Sequence, residues 1–211
     1  MHLRSDSFRP YDTLDTRLCF AEHHPATHVT LSGNKNPHLA WSDVPEGTRS
    51  FALICFDPDV PSRGDDVNQE GRTVPIDLPR VDFFHWVVAD LPATLRQIAE
   101  GSHSDGVTAR GKAPGATPDG GVHGANNYTD WFAGNADMSG SYCGYDGPGP
   151  PWNDERVHAY RFQLFAVDVP SLGLTSPFSG EDLRAALQGH VLATAELVGL
   201  YHINPNATPS R

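Results

Sequence analysis

At 211 residues and 38% apolar content, the chain can bury one good core, and a single domain over 1–211 is the expectation. The balance of 15 basic against 26 acidic residues gives −11, with no run of lysines or arginines, which speaks against a nucleic-acid backbone or an anionic membrane surface as partner. No stretch approaches transmembrane length, and the start of the chain lacks the apolar core of a secretory signal. Cys19, Cys55 and Cys143 are odd in number and widely spaced, and read as reduced thiols of a cytoplasmic protein; a removed signal would make it periplasmic instead.

Residues 1–27 are mixed and turn-rich. The adjacent His23 and His24 lack companion ligands at metal-binding spacing, so they read as part of a solvated loop. A short strand is expected over 29–31. Residues 51–56 (Phe-Ala-Leu-Ile-Cys-Phe) are apolar on both faces and predict a central buried strand. Asp57-Pro58-Asp59-Val60-Pro61-Ser62 follows, and its alternating prolines predict a stiff loop at the strand end. Residues 63–80 read as a surface excursion. A second core strand is expected over 83–89, with Phe83, His85, Val87 and Ala89 on one face and Phe84, Trp86 and Val88 on the other. Pro92 and Gly101 bracket a short helix predicted over 91–100.

Residues 101–144 are rich in Gly, Asn, Asp, Ser and Thr, with Tyr128, Trp131, Phe132 and Tyr142 interleaved. This composition predicts a long ordered loop across the open end of a sheet, with Trp131 and Phe132 as its anchor. The positions 144–151 hold three glycines and three prolines, which excludes regular structure. Beyond them the pattern alternates: His158, Tyr160, Phe162, Leu164 and Ala166 share one strand face, predicted to be buried because Arg161 and Gln163 mark the other. Ser179 with Asp182 three residues later predicts a helix N-cap. Leu183, Leu187, Val191 and Val198 mark a helical stripe to about 197, stopped by Gly199, with a short edge strand over 200–203 and a fraying Asn-Pro-Asn tail. The chain reads as mostly β.

Three segments put unusual polar groups at strand ends: Asp57 with Asp59, His85, and His158 with Tyr160. With Asp57-Pro58-Asp59-Val60-Pro61-Ser62, His85-Trp86-Val87-Val88, the Tyr145-x-Gly147-Pro148-x-Pro150-Pro151 loop and His158-x-Tyr160, the sequence resembles the phosphatidylethanolamine-binding proteins, and more closely their bacterial Raf-kinase-inhibitor-like branch. The likeness covers about 28–203. It implies a large central antiparallel sheet, a smaller second sheet and a carboxyl-terminal helix. It further implies a small pocket for a phosphate-like anion or phosphoethanolamine headgroup, lined or supported by Asp57, Asp59, His85, Tyr145, Gly147, Pro148, His158 and Tyr160. A kinase or protease partner and a homodimer are implied in the same way. Where the family usually carries Arg between the last His and Tyr, this chain has Ala159, whose side chain points away from the pocket by the alternation.

In chemical terms, His85 and His158 can donate imidazole N–H bonds, Tyr160 or Tyr145 a hydroxyl, and amides around Gly147 can face an anion. A carboxylate beside phosphate fits when the phosphate carries a proton that Asp57 accepts. The reading is a non-enzymatic binding protein without a cofactor. One alternative is a hydrolase using His85 or His158 as base, against which stands the lack of a Gly-x-Ser-x-Gly elbow or a well-placed nucleophile. A metal site of Asp57, His85 and His158 and a pure interaction module with a vestigial pocket are the others.

Overall fold

The computed structural model describes residues 1–209; the last two positions of the 1–211 expectation lie outside the described residues. In chain order the strands are β1 (His2–Arg4), β2 (Ala21–His24), β3 (His28–Leu31), β4 (Leu39–Ser42), β5 (Ser50–Pro61), β6 (Arg80–Pro92), β7 (Gln97–Ile98), β8 (Gly115–Ala116), β9 (Val122–His123), β10 (Arg156–Val167), β11 (Val191–Tyr201) and β12 (Thr208–Pro209). The helices are α1 (Tyr128–Trp131) and α2 (Gly180–Ala186). A seven-stranded sheet runs β11-β10-β5-β6-β9-β8, with β12 alongside β10, and smaller sheets are formed by β1-β4-β7 and β2-β3. Every pairing along the main path is antiparallel. A mostly β fold with a dominant antiparallel sheet is thus what the chain adopts.

β5 is central because it is apolar on both sides. Phe51, Leu53 and Cys55 enter the larger core, while Ala52, Ile54 and Phe56 enter the smaller one under α2. Each of the larger ones, Phe51, Leu53, Ile54 and Phe56, contributes about 1.5–3 kcal/mol by leaving water. The Ser179 cap forms as expected: its hydroxyl accepts from the Asp182 amide, and the Asp182 carboxylate accepts from the Ser179 amide. The inward face of β10 also forms as expected, with His158, Tyr160, Phe162, Leu164 and Ala166 fully buried.

Several expectations are corrected. The segment 57–62 is not a loop, because β5 continues to Pro61. It does so through a bulge in which Pro58 and Asp59 together oppose one residue of β6, so the prolines fall where the ladder is already broken. The single alternation over 83–89 also fails. A bulge at His85 lets Cys55 pair with Trp86 and Phe56 with Phe84, so His85 and Trp86 both face the larger core while Val87 and Ala89 face the smaller.

No helix forms over 91–100: β6 runs to Pro92, a turn follows, and buried Ile98 of β7 pairs with Leu39 of β4. The stripe over 183–197 divides after α2, which ends at Ala186. Gly189 turns the chain at φ +82, and β11 then places Ala193, Leu197 and Tyr201 in the larger core at period two. Gly199 stops nothing; a Cβ there would lie 2.5 Å from Leu14, so the glycine admits residues 11–14 alongside β11. His23 and His24 belong to the β2-β3 hairpin rather than a loop. The tail is held too, by Asn204 donating to the Asp154 carbonyl and by β12 pairing with β10.

Candidate functional site

β10 pairs with β5 only as far as Arg161 opposite Phe56. Beyond that point the bulge at Pro58 carries β5 away, and side chains replace the ladder. The Asp59 carboxylate accepts from the Ala159 amide (3.0 Å) and from Arg156 (2.9 Å). The opening is a cavity of about 210 Å³. Asp57, His85, His158 and Tyr160 from three adjacent strands line it, with Tyr128 of α1.

The floor is a buried charge chain. His158 Nδ1 lies 2.7 Å from Asp57 Oδ2, and its Nε2 lies 3.1 Å from Asp154 Oδ2. Arg80 donates to Asp154 Oδ1 at 3.0 Å. Burial works against charge on His158, but the two carboxylates outweigh it and lift its pKa to about 9, so the ring is an imidazolium with both N–H groups spent. Burial likewise opposes charge on Asp57 and Asp154, yet their cationic partners hold both below the usual carboxylate range. His158 therefore offers no N–H to a ligand, contrary to its expected role. The same double engagement takes it out of a metal site with Asp57 and His85.

His85 is different. Its Nδ1 donates to the Asp146 carbonyl (2.8 Å), and the Asp146 amide donates back to the His85 carbonyl (3.0 Å), the carbonyl that the bulge releases from the ladder. Burial pushes its pKa below the ordinary histidine value, against the pull of Asp57. Nε2 is then a lone-pair acceptor, and among the described residues it has no partner. The Tyr160 hydroxyl likewise has no partner at hydrogen-bond geometry among the described residues, and burial, then the nearby Asp57 carboxylate, push its pKa well up, so it persists as a phenol donor. The two rings meet edge to face at 5.2 Å.

The other expected residues are supports. Tyr145 is buried and donates to the Leu18 carbonyl (2.6 Å). The Gly147 amide is taken by Asn34 (2.8 Å) rather than free for an anion, and its carbonyl accepts from Tyr128 (2.9 Å). The Pro148 carbonyl accepts from the amides of Phe20 and Ala21. Asp59 acts between strands, as described. Lining or floor residues that the sequence reading did not assign to the site include Tyr128, Trp131, Phe83, Arg63 and Asp154. Only Tyr128 and Trp131 left a signal, a pair of aromatics three apart in an otherwise polar stretch.

A family model described as phosphatidylethanolamine-binding protein matches residues 4–202. The chain belongs to the phosphatidylethanolamine-binding protein family. Within it, a UPF0098 protein of Aquifex aeolicus is 32% identical over 177 residues, covering 84% of this chain and 80% of that protein. One of Methanothermobacter thermautotrophicus is 34% identical over 177 residues, covering 84% and 89%. Among solved structures, Escherichia coli YbcL, described as a new member of the mammalian PEBP family, superposes with a TM-score of 0.67 at 27% identity, covering 95% of this chain and 97% of its own. YbcL shares the fold described above, and the span that the family model matches takes in the three cavity strands β5, β6 and β10 together with α1. No helix among the described residues is long and apolar enough to cross a membrane.

Proposed function

We propose that the chain is a non-enzymatic binding protein whose cavity takes a singly protonated phosphate group, free or as a monoester headgroup. The observation that carries this reading is that two residues lining one cavity each hold a buried polar atom without a hydrogen-bond partner among the described residues: an acceptor at His85 Nε2 and a donor at Tyr160. A monoanionic phosphate answers both, since its P–OH donates to the imidazole and an oxygen accepts from the phenol. The floor beneath is close to neutral, with Asp57 and Asp154 set against His158 and Arg80, so an anion is not repelled by net charge. The non-enzymatic reading is supported by the state of the thiols: Cys19, Cys55 and Cys143 are free and buried, with pKa values raised by burial. Free thiols also favour a reducing, cytoplasmic compartment.

Calorimetric titration with inorganic phosphate and phosphoethanolamine tests the reading, with His85→Gln as the control. His85 is the residue to change, because altering His158 would strand two buried carboxylates. Binding in the unmodified protein that is lost in His85→Gln, with the melting temperature held, is the expected result. No binding of either compound overturns it.

A further inference from the structure

We infer that the natural ligand is a phosphomonoester whose organic part is an uncharged planar ring seated on Trp131. This rests on the anion reading above and names the ligand class for the same cavity. α1 places Tyr128 and Trp131 three residues apart, on one side of a short turn. Tyr128 is fixed, stacked on Phe20 at 4.4 Å, and Phe132 packs inward against Tyr128 and Tyr142. The expected anchoring role thus falls to Phe132 alone. Trp131 is 54% exposed, yet it lines the cavity. A large aromatic surface left half in water at the mouth of a binding cavity gains when a ligand covers it.

Size points the same way. A cavity of about 210 Å³ has room for roughly seven waters at about 30 Å³ each, more than a five-atom phosphate displaces. The space beyond the polar floor is walled by Val60, Pro61, Phe83, Pro150, Pro151 and Trp131, two flat rings and three prolines among them. The lining offers an ammonium substituent no free carboxylate, while its walls suit an uncharged group. Asp57, the carboxylate lining the cavity among the described residues, is bound to His158, and Arg63 at the mouth is paired with Asp65. An uncharged ring meets the indole face and stacks on it.

The test compares inorganic phosphate, phenyl phosphate, butyl phosphate and phosphoethanolamine by calorimetry, with the unmodified chain, Trp131→Ala and Trp131→Phe. Phenyl phosphate is expected to bind about tenfold more tightly than inorganic phosphate. Trp131→Ala should remove that advantage while changing inorganic phosphate less than twofold, and Trp131→Phe should restore most of it. The inference is overturned if phenyl phosphate shows no advantage, if butyl phosphate or phosphoethanolamine matches it, or if Trp131→Ala weakens all four equally. Failure of every phosphate compound to bind defeats the anion reading itself, and this inference with it.

Discussion

Replacing His158 by Gln removes the cation between two buried carboxylates. The consequences for the two differ. Asp154 keeps Arg80 at 3.0 Å and the Arg156 amide at 2.9 Å, whereas Asp57 keeps the Asp59 amide at 2.8 Å and, among the described residues, no cation at hydrogen-bond distance. Asp57 becomes the uncompensated charge, and stranding one member of a buried pair costs about 3–5 kcal/mol. Urea denaturation should show this as a midpoint lower by more than about 1 M, given slopes of about 1–3 kcal/mol per M. Adding Asp57→Asn to His158→Gln should recover part of the loss, because the stranded charge is gone.

The pH dependence supplies a second signature of the same change. The folded pKa of His158 is about 9, against about 6.5 in an unfolded chain. Its contribution is therefore fully present below about 6.5 and disappears as pH rises through 9, a span of about 3 kcal/mol at about 1.4 kcal/mol per unit. Asp57 and Asp154 are lowered, so their contribution is present above about 4 and is lost as pH falls. Unmodified protein should be most stable between these limits and weaken toward pH 9, while His158→Gln should lack the alkaline decline. A loss under about 1 kcal/mol, or matching alkaline slopes in the two proteins, would refute the imidazolium assignment.

Phosphate affinity should fall as pH rises from about 6 to 8, because a phosphomonoester loses its second proton near 6 and with it the donor for His85 Nε2. His158 stays charged throughout that range, so a flat calorimetric profile would contradict the proposed protonation state. Gly147→Ala should lower the melting temperature, since its Cβ would fall 2.2 Å from the Leu18 carbonyl oxygen that Tyr145 also binds. The expected loss is about 1–3 kcal/mol, and an unchanged melting curve would remove Gly147 from its supporting role. An aromatic disulfide reagent should leave the native thiols unlabelled and react with all three in denaturant; fast native labelling of Cys19 or Cys55 would contradict their burial.

Where one physical rule acted alone, the sequence was readable. The inward face of β10 follows from period-two alternation, and the α2 cap from Ser179 and Asp182. Misreadings arose where two rules competed. Leu183 and Leu187 continue smoothly in helical spacing into Val191, so the change of period at Gly189 is hidden. Prolines 58 and 61 argue against a strand, but a bulge supplies the break they need. The bulge at His85 reversed the faces of Val87 and Ala89, and no local residue signals an inserted position in a strand of apolar side chains. In the site, Asp57, His85 and Tyr160 were legible as polar residues among apolar ones. Asp154 was not, because it comes from a turn and becomes buried only through Arg80 and His158, partners that sequence order does not place beside it.

The pairings that build the cavity span most of the chain. Asp57 and His158 are 101 positions apart, Asn34 and Gly147 113, and Leu18 and Tyr145 127. During synthesis, β5 and β6 can pair as soon as both have emerged, but the cavity floor waits for β10, which carries His158. Sheets closed by such distant segments form slowly, and their closure comes late. Ligand capture is therefore a property of the finished chain: a nascent or truncated form ending before residue 158 would hold Asp57 and His85 without the floor that balances them.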